Sequence, residues 1–140
     1  MVVLTKNAME QTIEKWHAMI ASRDLDWLHK IIHPDAVFRS PVAHTPYQGR
    51  EALKLALTTV IDVFEDFAYH REFHTDDGKN VTLEFSAHIG GKQLKGVDLI
   101  EFDDDGFITQ FEVMVRPASG LMALGEEMGK RIGAQLKDHR

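Results

Sequence analysis

The sequence predicts an α+β fold: a cone-shaped α+β barrel in which three N-terminal helices pack on a strongly curved, mainly antiparallel sheet, followed by a C-terminal helix. Apolar residues recur at helical spacing through the first half of the chain and again near its end. Between these segments, β-rich runs are separated by Gly-Gly and Asp-Gly pairs, which favour tight hairpin turns. We expect a single domain over residues 1–140, with a pocket on the concave side of the sheet.

The first helix is predicted from Met9, Ile13, Trp16 and Ile20, which lie on one helical face. Asp24 is predicted to cap a short second helix, because aspartate is favoured at that position. His33 ends this helix, since a residue before proline is pushed out of the helical region. The helical pattern covers 7–21, a segment between 24 and 33, 50–65 and about 119–137, with a strand over 35–40 and a loop over 41–49.

Four further strands are predicted at 67–75, 81–89, 93–102 and 107–116. If Gly90-Gly91 and Asp105-Gly106 form two-residue turns, Asp98 lies opposite Leu83 on one neighbouring strand and Val113 on the other. The face that carries these residues is otherwise almost entirely apolar.

The first hairpin allows two registers. A three-residue loop with Gly78 as the bulge residue places three aromatic residues on the apolar face and Arg71 beside Leu83. A two-residue turn places polar residues there instead. We favour the aromatic register, because a slip of one residue would move the whole hydrophobic set to the wrong face. The aromatic set is Phe67, Tyr69 and Phe73, and the polar set is His70, Glu72 and His74.

Asp98 is the most informative residue of the chain. An ionised carboxylate among apolar neighbours must pair, meet water or remain protonated with a raised pKa. One interpretation is structural, with an ion pair to Arg71 or a hydrogen bond from the Trp16 indole. The other is functional, with Asp98 as an acid–base group or as a neutral carboxyl that donates a hydrogen bond to a bound oxygen. We expect a buried carboxyl with a raised pKa.

Composition excludes several classes of function. The chain has 140 residues, a net charge of −6 and no cysteine. An acidic chain lacks the positive surface that nucleic acid requires, and without cysteine there are no disulfides, catalytic thiolates or sulfur-ligated zinc. The chain has no apolar run long enough to span a membrane, and its first seven residues do not resemble a signal peptide. We expect a cytoplasmic protein that binds neither nucleic acid nor membranes.

The eight histidines raise the hypothesis of a metal site. His29 and His33 have the i, i+4 spacing of two ligands on one helical face, but no HExxH-like acid accompanies them. Interaction with the negative end of the helix explains them better. His70, His74 and His88 are expected on the outer sheet face. We expect no metal and no organic cofactor.

The segments 35–41, 49–53 and 96–108 resemble the SnoaL-like branch of the nuclear transport factor 2-like superfamily, whose members share a cystatin-like cone. The resemblance covers roughly residues 5–117. The superfamily includes ketosteroid isomerase, limonene epoxide hydrolase and SnoaL-type polyketide cyclases, together with many non-catalytic proteins. Membership of this superfamily therefore predicts the fold better than the function.

Residue by residue, the resemblance places Ser40 where the isomerase has its general base and Trp16 where it has an oxyanion-hole tyrosine. Asp98 matches the second oxyanion donor. Serine cannot act as a base at neutral pH, which argues against ketosteroid isomerisation. Val113 stands where the epoxide hydrolase requires a second carboxylate. SnoaL-type cyclases, which need mainly one acidic group at about this strand position, are the closest match.

Two functions follow from the resemblance and the residues. The first is a cofactor-independent cyclase or isomerase that moves a proton on an apolar or polycyclic oxygenated substrate, with Asp98 and His44 as its acid–base groups. The second is a non-catalytic module of the same fold that binds a small apolar or aromatic ligand or only dimerises. A homodimer through the outer sheet face is expected. The residues expected to bind the substrate are Trp16, Phe38, Ser40, Tyr47, Phe64, Arg71, Leu83, Phe85, Val113 and Val115.

Overall fold

The computed structural model describes residues 6–140, so most of the segment on which the signal-peptide prediction depends lies outside it. No helix in the described part combines the length and apolar character needed to cross a membrane. The elements, in chain order, are α1 (Ala8–Ser22), α2 (Leu28–Ile31), β1 (Ile32–Arg39), β2 (Tyr47–Gln48), α3 (Arg50–Val63), β3 (Glu65–His74), β4 (Asn80–Ile89), β5 (Lys92–Phe102), β6 (Ile108–Arg116) and α4 (Ala118–Lys137).

The predicted α+β fold is confirmed. Within residues 6–140 the six strands form one curved sheet in the order β2-β1-β6-β5-β4-β3. The β1–β6 pair is parallel and all the other pairs are antiparallel. The sheet is open, because β2 and β3 are its two edges and do not pair with each other. That the whole chain is one domain remains a prediction.

The first two helices differ in how their ends are fixed. Asn7 caps α1 in a capping box, in which its side chain accepts from Glu10 N and Glu10 returns a bond to the Asn7 backbone. The prediction that Asp24 caps the second helix is wrong. Its carboxylate accepts from Asp26 N in a local turn, and α2 starts later, after Trp27. Ile32 already belongs to β1, so the helix also ends earlier than predicted.

The registers around Asp98 are as predicted. Asp98 pairs with Leu83 on β4 and with Val113 on β6. The β4–β5 turn is the two-residue Gly90-Gly91 turn, and both glycines have positive φ, which most other residues adopt only with strain.

The β5–β6 connection is longer than predicted. Ile108 pairs with Phe102, and a register shift between Glu101 and Phe102 absorbs the change. The side chain of Asp103 accepts hydrogen bonds from the backbone of residues 105 and 107, which stabilises the wider turn. Because this register shift offsets the longer turn, Asp98 still pairs with Val113.

The β3–β4 hairpin combines features of both predicted registers. Tyr69 pairs with Phe85 as in the aromatic register, but after a bulge Glu72 pairs with Leu83. Phe67 and Tyr69 therefore point inward. The prediction that Phe73 also lies on the inner face is wrong, since it is 57% exposed.

The outer face of the sheet holds a buried carboxylate of its own. Glu84 accepts hydrogen bonds from Nε and Nη2 of the Arg71 guanidinium, and Lys95 Nζ lies 3.5 Å from its Oε2. Arg71 lowers the pKa of Glu84 to about 2. On the same face Met114 is 50% exposed, and the homodimer expected through this face remains a prediction.

The concave side carries two clusters of buried apolar residues. One joins α1, α2 and α3 to the sheet, and the other joins the end of α3 to β4, β5 and α4. Tyr69, Val113 and Met128 pack against both. The space between the two clusters is the pocket described below.

Gly96 tests how tightly the inner face is packed. A Cβ at this position would lie 2.6 Å from Phe85 Cζ and 2.6 Å from the Met114 carbonyl oxygen. We expect Gly96→Ala to lower the free energy of unfolding by about 2 kcal/mol, the usual penalty for overpacking a core. Gln93→Ala on the same strand, where the side chain is exposed, should change it by less than about 0.5 kcal/mol. Urea unfolding measures both, and an unchanged stability of Gly96→Ala would contradict this packing.

Candidate functional site

A cavity of about 160 Å³ lies between the concave face of the sheet and the helices α1, α3 and α4. Its walls are almost wholly apolar and aromatic, which is typical of small-molecule sites. Phe38 stacks on Tyr47 at one side, and Phe64 packs against Phe67 and Phe85 at the other. Asp98 is the one acidic side chain among the described lining residues.

Three polar side chains form a hydrogen-bonded chain that ends at Asp98. The indole Nε1 of Trp16 donates to the Tyr69 hydroxyl oxygen at 2.9 Å, and the Tyr69 hydroxyl donates to Asp98 Oδ2 at 3.0 Å. Asp98 is only 6% exposed, and its Oδ1 has no hydrogen-bond partner among residues 6–140. One oxygen of the carboxyl is therefore held by Tyr69, and the other makes no hydrogen bond to the described residues of the cavity wall.

Burial raises the pKa of Asp98 from 3.8 to about 7, because the apolar wall disfavours the charged form. The hydrogen bond from Tyr69 acts in the opposite direction and is the weaker effect. The pKa of Tyr69 is raised well above 10.0 by its own burial and by the charge of Asp98. Tyr69 thus remains a neutral donor near neutral pH, where Asp98 exists in both protonation states.

Most of the side chains predicted to bind the substrate do line the cavity. Ser40 and Val113 line the same cavity as Asp98, and the Ser40 Oγ accepts from Val42 N, which leaves its hydroxyl hydrogen free to donate. Leu83 and Val115 belong to the packed core next to the cavity and do not line it. The other predicted residues that line the cavity are Trp16, Phe38, Tyr47, Phe64 and Phe85.

Two predicted site residues lie elsewhere. Arg71 does not pair with Asp98 or reach the pocket, because the β3 bulge turns it to the outer face, where it binds Glu84. His44 is exposed in the loop between β1 and β2 and does not line the cavity. The pocket side of that loop is formed by Pro41 and Val42 instead.

The site also contains residues that the sequence prediction left out. Tyr69 was expected on the inner face but was not assigned to the site, although it holds Asp98 directly. The helix α4 forms one wall of the cavity through Leu124 and Met128, among others. Its apolar periodicity predicted a helix, but periodicity does not show which surface a helix packs against.

The histidines first considered as metal ligands contact neighbouring side chains or backbone instead. His29 Nε2 lies 3.2 Å from Arg50 Nη1, and His33 Nδ1 accepts from Asp35 N. His74 does not lie on the outer face as predicted. It binds Glu72, which also binds His17 of α1 on the concave side. Within residues 6–140 no three His, Asp or Glu side chains are arranged to hold a metal ion.

A family model described as a SnoaL-like domain matches residues 13–111. No curated protein matches the chain. Among solved structures, a steroid delta-isomerase from Pseudomonas aeruginosa is 54% identical, with a TM-score of 0.89, and the alignment covers 97% of this chain and 99% of that one.

Two further structures extend the comparison. A protein with a cystatin-like fold from Silicibacter pomeroyi is 29% identical, with a TM-score of 0.85 and coverage of 94% of this chain and 96% of that one. The epoxide hydrolase/cyclase-like enzyme SalBIII is 16% identical, with a TM-score of 0.64 and coverage of 80% and 92%, and it shows a shared fold only.

Asp98→Asn tests the protonation of the buried carboxyl through stability. The pKa of Asp98 is about 7 in the folded chain and 3.8 in ordinary surroundings, so between these values the folded state keeps a proton that the unfolded chain releases. The stabilisation is complete below the unfolded pKa and is lost as pH rises through the folded pKa. Relative to Asp98→Asn, the unsubstituted chain should lose about 1.4 kcal/mol of unfolding free energy per pH unit from about pH 4 to pH 7.

Urea unfolding across this range measures the difference, and Glu84→Gln is the matched control. The pKa of Glu84 is lowered to about 2 from 4.5, so its contribution is constant above pH 5 and lost only in acid. A difference between Asp98→Asn and the unsubstituted chain that does not vary with pH would contradict the raised pKa.

Proposed function

The chain belongs to the SnoaL-like domain family, and from the chemistry of its pocket we propose that it is an isomerase- or cyclase-type enzyme that moves a proton on an apolar, oxygen-bearing small molecule. Asp98 takes up and returns this proton, and neither metal nor organic cofactor takes part. The observation that carries the proposal is a single buried carboxyl with a pKa of about 7, facing an apolar cavity with one oxygen free.

A carboxyl with this pKa can serve as acid and base in one cycle. General acid–base catalysis is most efficient when the pKa lies near the working pH. In the ionised form, Asp98 accepts a proton from the carbon next to a carbonyl group, and the C–H electron pair moves into the enolate. The protonated carboxyl then returns the proton at another carbon of the conjugated system, which shifts the double bond. No other acidic side chain lines the described cavity.

The steroid delta-isomerase that is 54% identical to this chain also supports an isomerase function. The resemblance argues against ketosteroid isomerisation, because Ser40 stands where ketosteroid isomerase has its general base. Serine at that position leaves Asp98 as the proton acceptor. We propose unsaturated cyclic ketones as the substrate class. Activity on steroids is indicated only for the named relative and is not proposed for this chain.

A ligand-binding module is the second candidate function. Two observations favour it: His44 lies outside the cavity, and Ser40 cannot act as a second base. In this reading the pocket binds the same class of molecule, and the neutral Asp98 donates a hydrogen bond to its oxygen.

Isomerisation of 3-cyclohexen-1-one to the conjugated enone tests the proposal, since conjugation produces a new ultraviolet absorbance. The rate should rise with pH through about 7, because the ionised Asp98 is the base. Asp98→Asn should lower the rate at least about 100-fold. Glu84→Gln, which changes a buried carboxyl on the opposite face, should retain it.

Circular dichroism confirms that each variant is folded. A folded Asp98→Asn variant with an undiminished rate would reject Asp98 as the base. Binding of the ketone by the unsubstituted chain without any isomerisation would favour the ligand-binding module.

A further inference from the structure

The strand β3 contains a second bulge, at Asp66, in addition to the one described above. Two residues lie between Glu65 and Ala68, whereas β4 has one residue between the partners of this pair. Side chains of a strand alternate between its two faces. With the pairing of Glu65 unchanged and the extra residue removed, Phe67 and Tyr69 would therefore point to the outer face. The bulge thus supplies the cavity with two of its lining residues.

Asp66 has the left-handed backbone conformation that such a bulge requires. Its φ is 52°, a region in which residues other than glycine are uncommon. Glycine is the usual residue at the first position of this type of bulge. Aspartate adopts the conformation when its short polar side chain forms a hydrogen bond nearby. The bulge therefore depends on what the Asp66 carboxylate binds.

His88 at the end of β4 binds this carboxylate. Its Nε2 lies 2.7 Å from Asp66 Oδ2 and donates the hydrogen, because an ionised carboxylate only accepts. The preceding residue, Glu65, is fixed at the same end of β4, where its Oε1 accepts from Gly90 N at 2.9 Å. The first two residues of β3 are thus both held against the end of β4.

The second nitrogen of the His88 ring shows that this arrangement is unfavourable in itself. Nδ1 is buried and has no hydrogen-bond partner among residues 6–140, and Glu65 Oε2, at 3.6 Å, is too far away to be one. A buried polar atom without a partner lowers stability, and so does a strained backbone at Asp66. Unfavourable features of this kind cluster at functional sites. Their presence in one bulge indicates that its geometry serves the pocket rather than stability.

Two aromatic side chains connect the bulge to Asp98. The ring of Phe67 meets the ring of Tyr69 edge to face, with 4.8 Å between the centroids, and stacks on Phe85. The Tyr69 hydroxyl donates to Asp98 Oδ2 at 3.0 Å. Because a hydrogen bond weakens with distance and misalignment, a shift of β3 at the bulge changes the bond that Asp98 receives.

We propose that His88 is a positioning residue of the pocket: by holding the bulge at Asp66 it keeps Tyr69 turned inward as the hydrogen-bond donor to Asp98. His88 is not among the described residues that line the cavity, so it acts only through β3. The inference rests on the proposed function only for the use of Asp98 as a base, and the placement of Tyr69 does not depend on it.

The titration of Asp98 tests this inference from the opposite face of the sheet. Burial raises the pKa of Asp98, and the hydrogen bond from Tyr69 lowers it. A weaker bond in His88→Ala should therefore raise the carbon-13 NMR midpoint of the Asp98 carboxyl by at least about half a pH unit. Asp66→Ala, which removes the same bond, should give the same shift. His88→Gln, whose amide can donate to Asp66 in place of the ring, should leave the midpoint unchanged.

Glycine at position 66 is the matched control, because glycine adopts positive φ without strain and needs no support from His88. Asp66→Gly should leave the midpoint unchanged, although it removes the same hydrogen bond as Asp66→Ala. The double variant His88→Ala, Asp66→Gly should restore the midpoint that His88→Ala shifts. A purely structural role of His88 would lower stability in urea without moving the midpoint.

Circular dichroism confirms that each variant is folded, and Asp66→Ala is the test if His88→Ala does not fold. An unchanged midpoint in the folded alanine variants, or a shift in Asp66→Gly equal to that in Asp66→Ala, would overturn the inference. The expected shifts in a chain that does not isomerise the ketone would reject the proposed enzyme and leave this inference standing.

Discussion

The placement of one carboxyl in an apolar wall governs the chemistry of this molecule. Asp98 lies between Leu83 and Val113 on the concave face, and desolvation raises its pKa to about 7. Within residues 6–140 no cation pairs with it, because Arg71, the arginine considered as its partner, binds Glu84 on the other face. Two buried carboxyl groups of one sheet therefore have opposite properties: the pKa of Glu84, which is ion-paired, is lowered to about 2, whereas the pKa of Asp98, which forms no ion pair within residues 6–140, is raised to about 7.

Two features of the fold keep Asp98 in this position: the pairing of the strands around it and the hydrogen bonds of two aromatic side chains. The Gly90-Gly91 turn fixes the β4–β5 register, and Tyr69 on β3 and Trp16 on α1 hold one carboxyl oxygen in a fixed position. An uncompensated buried acid disfavours folding when it must ionise. Asp98 is nevertheless present in the wall of a cavity. A titratable group with a strongly shifted pKa in a cavity is expected of a functional residue rather than of a structural one.

Sequence periodicity and turn residues were sufficient to predict the fold and the pairing of Asp98 with Leu83, since strand registers near tight turns follow from the turn length; the pairing with Val113 is as predicted only because a register shift compensates for the longer β5–β6 turn. They were not sufficient for the β3 bulge. An extra residue within a strand turns Arg71 and Phe73 outward, and no glycine or proline marks its position. The role of α4 in the pocket was also out of reach, because long-range packing determines where a helix lies. His44 was assigned from its loop, and loop conformation has no comparable periodic signal.

A carbon-13 NMR titration of the Asp98 carboxyl in the folded chain tests the role of this group most directly. We expect a titration midpoint of about 7, with the carboxyl protonated below it. A midpoint at or below the ordinary value of 3.8 would show that the apolar wall does not control this group, and would contradict both its burial in the pocket and its proposed role as the proton acceptor.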